Sequence, residues 1–98
     1  MNQYMIDIDL PQPLTEEFAA LIPSQRAHVN ALMGEGKIAG YSLSMDRTRL
    51  WVIVNADSPE AARSIIASFP IIAHIRFRMC ELAFHNSVRV LHPQFSLN

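Results

Sequence analysis

Cysteine is almost missing. The single thiol, Cys80, cannot form an internal disulfide, and a thiolate-rich zinc site needs at least two. An excess of charge of one sign is missing as well. Eight Lys+Arg against nine Asp+Glu leave a net charge of −1, which excludes nucleic acid as a partner held by phosphate neutralisation. No apolar run reaches the about 18 residues of a membrane-spanning helix. The opening MNQYMIDIDL has neither a basic n-region nor a long apolar stretch, so no signal peptide is expected and the cytoplasm is the expected location. Walker, G-x-S-x-G and glycine-rich phosphate sequences are absent; Gly34-x-Gly36 follows a helical pattern and reads as its cap. What remains is half hydrophobic over 98 residues, enough for one folded domain.

Period-two alternation opens the chain. Tyr4, Ile6, Ile8 and Leu10 share one face, with Met5, Asp7 and Asp9 on the other, until Pro11 and Pro13 stop the strand. Thr15 can cap a helix with Glu16 and Glu17 in its first turn, and Phe18, Leu21, Ile22, Val29, Leu32 and Met33 recur at helical spacing. Pro23 predicts a kink or a break into two pieces. Ile38–Met45 alternates again, Asp46-Arg47-Thr48 is a polar turn, and Leu50–Val54 is a second strand of the hairpin. Ser58-Pro59-Glu60 starts a helix with Ala62, Ile65, Ile66 and Phe69 as its stripe, and Pro70 ends it. Residues 74–82 alternate once more.

The order strand, helix, strand, strand, helix, strand predicts an α+β ferredoxin-like βαββαβ sandwich, a four-stranded antiparallel sheet with two helices on one face. The domain is expected at residues 1–85, with residues 86–98 a tail packing on a partner subunit. The sheet face away from the helices is expected to carry Asp7 and Asp9 beside Arg76 and Arg78, with Leu50, Val52 and Val54 between them. Such an apolar patch on a small chain predicts a homodimer or larger homo-oligomer. Cys80 is expected to be an inert core residue.

The four histidines, His28, His74, His85 and His92, match no metal-ligand spacing, so no metal is expected. Gln25, Arg26, His28 and Asn30 form a polar set on the first helix. Tyr41 and Trp51 are expected on the helix-facing side of the sheet, where a cleft lined by apolar and aromatic groups suits a small ligand. Arg26 and His28 are two residues apart, about 200° around a helix, so only one can line a given cleft.

The stretch Leu32-Met33-Gly34-Glu35-Gly36, the helix start Ser58-Pro59-Glu60, the run from Phe69 to Phe77, and Leu82 with His85 together resemble the muconolactone isomerase family of the dimeric α+β barrel group. The resemblance implies a cofactor-free isomerase that moves a proton in a small carboxylated lactone, using a general base and cations for the carboxylate and enolate. The family's Glu-Lys-Glu-type run on the first helix corresponds here to Gln25-Arg26-Ala27, which keeps the cation and lacks both acids. The roles implied are Arg26 for a small organic anion, His28 as replacement base, and Tyr41 as oxyanion donor. Trp51, His74 and His85 are the further ligand-binding candidates, and no cofactor is implied. Two other readings share the residues: a non-catalytic ligand-binding or oligomerisation module, and a cofactor-free oxygenase acting on a polycyclic aromatic compound.

Overall fold

A computed structural model describes residues 1–86, so most of the tail, and the packing expected of it, lies outside the described residues. The elements are β1 (Asn2–Asp9), α1 (Glu16–Gly34), β2 (Ile38–Leu43), β3 (Arg49–Ala56), α2 (Pro59–Ala67), a 3-10 turn at Ile72–His74, and β4 (Arg76–Leu82). The sheet is antiparallel in the order β2-β3-β1-β4, the ferredoxin-like arrangement.

Local chemistry starts both helices. The Thr15 hydroxyl accepts from Phe18 N–H at 3.1 Å, and the Ser58 hydroxyl accepts from Ala61 N–H at 3.0 Å with Pro59 at the first helical position. The break foreseen at Pro23 does not occur: α1 runs unbroken for 19 residues. Pro23 and Ala19 both lie on its exposed side, where water can replace the donor that proline lacks. Gly36, at φ +78°, turns the chain out of α1 in the left-handed conformation that glycine adopts without penalty.

The core lies between the sheet and the helices. Tyr4, Ile6 and Ile8 of β1 meet Phe18, Val29 and Leu32 of α1 and Ala62 and Ile66 of α2, all buried. Register then decides which face each residue of β3 presents. Tyr4, Ile6 and Ile8 stand opposite Val54, Val52 and Leu50, so these three share the helix-covered face, and Val52 and Val54 are fully buried. The expectation that Leu50, Val52 and Val54 line the open face is therefore corrected. Trp51 and Ile53, opposite Asp7 and Met5, occupy that face instead.

The open face carries the expected charges with one different partner. Arg49 donates to Asp7 through Nε at 3.2 Å and Nη2 at 2.5 Å, and Arg78 reaches Asp7 at 3.1 Å and Asp9 at 3.5 Å. Arg76 stands opposite Asp9 but makes no ion pair among the described residues. The hydrogen bonds from Arg49, ahead of those from Arg78, hold the Asp7 carboxyl below its ordinary value of 3.8, against an opposing desolvation effect. Cys80, opposite Met5, is exposed on this face and is not a core residue.

Candidate functional site

A pocket of about 500 Å³ opens at one end of the sheet, between the first half of α1 and the β2–β3 hairpin. Helical spacing puts Phe18, Ile22, Gln25 and Val29 on the α1 face that looks into it, and Leu50 and Ile71 complete the floor. The segment leaving β1 supplies Leu10, Pro11 and Leu14, held by the Leu10 N–H to Thr48 carbonyl bond at 2.9 Å. Leu14, Tyr41 and Leu43 form the rim. They stay 62%, 42% and 47% exposed, an apolar edge around an open mouth.

Besides Tyr41 on the rim and the exposed Gln12, four polar groups punctuate this surface. Arg26 from α1 and Arg47 from the hairpin tip bring two exposed guanidinium groups, and neither has a carboxylate partner among the described residues. Arg47 sits at φ +64°, a left-handed conformation that costs a non-glycine residue energy and recurs at binding sites. Asp46, beside it, is already engaged. Its Oδ1 accepts from the Thr48 hydroxyl at 2.7 Å, the Ser44 hydroxyl at 2.8 Å and Thr48 N–H at 3.0 Å, and these bonds lower its pKa, the Thr48 hydroxyl most. It is a weak base for that reason. The fourth group is Gln25, only 8% exposed. Its Oε1 accepts from Ile71 N–H at 3.3 Å, while Nε2 is buried with no partner in the protein.

The residues singled out in the sequence separate in space. Arg26 and Tyr41 line this pocket. His28 lies around the helix in a different groove with Leu32, Lys37, Asn55 and Ser68, so it is not positioned as a base beside Arg26. There the Ser68 hydroxyl donates to Ile65 carbonyl at 2.6 Å, so it is the His28 Nε2–H that donates to Ser68 Oγ at 2.7 Å. With its ring edge-on to Phe69 at 6.1 Å, His28 stitches α1 to the end of α2. His74 packs edge-on against Phe18 at 6.0 Å and lies outside the pocket wall, and His85 is exposed beyond β4. Trp51 is on the open sheet face, because its neighbours Leu50 and Val52 take the covered one. Sequence reasoning passed over Asp46 and Arg47 as pocket groups, and it placed Gln25 in the polar set of α1 without giving it a role. The usable signal was topological: in a ferredoxin-like unit the β2–β3 turn comes beside the first turns of α1.

Among the described residues no cluster of three or more His, Cys, Asp or Glu side chains could hold a metal ion, and no helix is long and apolar enough to cross a membrane. The pocket wall offers donors and cations in number, and one acid that is already hydrogen-bonded. It can hold an anion. It is poorly supplied for accepting a proton.

No protein-family model matches the chain, and no curated protein does. Solved structures do. Muconolactone isomerase superposes with a TM-score of 0.70 at 15% identity, over 92% of this chain and 97% of that one. The chain has the muconolactone isomerase fold. The 5-chloro-2-hydroxyhydroquinone dehydrochlorinase of Burkholderia phenoliruptrix AC1100, in complex with 2,5-dihydroxybenzoquinone, superposes at 0.58 and 15% identity over 95% of this chain and 97% of its own. The superposition takes in most of both chains. At 15% identity what it carries is the fold.

Proposed function

We propose that this protein is a muconolactone-isomerase-like small-molecule protein that binds a small carboxylated ring compound between α1 and the β2–β3 hairpin. The carrying observation is the pair of guanidinium groups, Arg26 and Arg47, over an apolar floor of matching size. A planar guanidinium suits a carboxylate, and Phe18, Ile22 and Val29 suit the ring. Tyr41, on the rim, can donate to a second ligand oxygen.

Isomerisation of a carboxylated lactone is the second reading, favoured by the likeness to muconolactone isomerase. It requires a base, and Asp46 is the one carboxylate on the wall. Both readings are tested in one tube. Muconolactone in deuterated water is followed by NMR, with binding read from ligand line widths and turnover from deuterium incorporation, and Arg26→Ala as control. Binding lost in Arg26→Ala supports the anion site. Deuterium uptake by the native protein that Asp46→Asn abolishes adds the isomerase. No binding of muconolactone or of related butenolides removes both.

A further inference from the structure

Half of a buried amide is spoken for and half is not. Gln25 Oε1 takes the Ile71 N–H, which fixes the orientation of the side chain and assigns the remaining atom as the NH2 donor. That donor has no partner and almost no contact with solvent, so a ligand oxygen reaches it only as the pocket wall, to which Gln25 belongs, gives way. Buried donors are rarely left unmade, because their desolvation is then uncompensated. None of the other polar groups of the pocket answers it, the exposed Gln12 and Tyr41 included. Arg26 and Arg47 are donors only, and Asp46 already accepts from Ser44 and Thr48.

The geometry points to Gln25 as a specificity residue whose Nε2–H donates to a second oxygen of the bound acid, a carbonyl or enolate oxygen on its ring. This rests on the anion-binding reading above and narrows it to one ligand class, ring carboxylates that also carry an unprotonated ring oxygen. A ligand with a hydroxyl there must turn its lone pair, not its proton, toward Gln25. A ligand with a bare methylene leaves the donor buried and unmade, which is how a hydrogen-bonding site rejects an analogue.

The test is a matched pair, 3-oxocyclopentylacetate and cyclopentylacetate, titrated into the native protein labelled with nitrogen-15. The ketone acid should bind roughly tenfold more tightly or better, and it alone should shift the Gln25 side-chain NH2 signals. Gln25→Glu keeps an acceptor for the Ile71 N–H, replaces the donor by a carboxylate oxygen, and should erase or invert the preference. Arg26→Ala should weaken both acids alike. Equal affinity for the two acids in the native protein, with Arg26→Ala still weakening both, overturns the role of Gln25 and leaves the anion site standing. No binding of either acid overturns the anion site and this inference with it. Should Gln25→Glu not fold, the ligand pair and the NH2 signals of the native protein still decide.

Discussion

Replacing Arg47 with glycine should make the protein more stable and a poorer ligand-binder at once. Arg47 holds φ at +64° in the hairpin turn, where its N–H donates to Ser44 carbonyl at 3.0 Å. A residue with a Cβ pays about 1–2 kcal/mol for left-handed backbone, and glycine pays almost none. Glycine also widens the unfolded ensemble, which returns about 0.4–1 kcal/mol of the gain. The Arg47 side chain is exposed and makes no hydrogen bond or ion pair among the described residues, so its removal costs the fold nothing further. The net expectation is about 0.5–1 kcal/mol of stabilisation, which in a domain of this size raises Tm by about 2–8 °C. Urea titration at fixed protein concentration measures it, with Arg47→Ala as the partner variant. Alanine removes the same guanidinium and keeps the strained backbone, so it should leave stability nearly unchanged. Both variants should lose affinity for a ring carboxylate to the same extent. A lower midpoint for Arg47→Gly than for Arg47→Ala would refute the strain account, because the two differ only in the backbone conformations they tolerate.

Two further outcomes follow from the faces of the sheet. Val52→Lys buries an unpaired ammonium in the helix-covered core and should abolish the far-UV helical signal. Trp51→Lys, one residue away on the open face, should keep that signal and shift a homodimer toward monomer in light scattering; a folded Val52→Lys contradicts the register. Because the folded-state pKa of Asp7 lies below 3.8, its ion pairs contribute fully above that value and are lost as pH falls through the folded-state pKa. Asp7→Asn should therefore lose less stability than the native protein between about pH 5 and about pH 2, and parallel losses in urea midpoint would rule this out.

The order of elements was legible because alternation or helical spacing marks five of the six and a β-branched, aromatic run marks the other, and the caps at Thr15 and Ser58 sit where their residue types predict. The facing of β3 was not. Residues 50–54 are apolar at every position, and a strand without alternation carries no phase. Only pairing to β1, with Tyr4 opposite Val54, supplies it. That single inversion explains both the misplaced Trp51 and the misassigned open-face patch. In β4 the phase was readable, with Arg76, Arg78 and Cys80 on one side, and the error with Cys80 lay in not letting its charged neighbours decide. Arg49 escaped notice as a partner of Asp7 because it stands opposite Asp9 and reaches diagonally along the sheet.

The separation of Arg26 from His28 matters more for chemistry than any single residue. A helix that turns Arg26 toward the hairpin must turn the second residue on away from it, and here His28 is further committed, its Nε2–H donated to Ser68. A proton-shifting site built from that pair is ruled out by helix geometry. What the pocket holds instead is a buried donor, Gln25, and a carboxylate, Asp46, made a poorer base by three hydrogen bonds. Donors stabilise an enolate once it exists, but they do not generate it. A ligand that arrives already as an enolate or ketone acid needs only the donors. Recognition of such a compound therefore makes fuller use of this pocket than proton abstraction does, and the binding reading stands ahead of the isomerase on hydrogen-bond inventory alone.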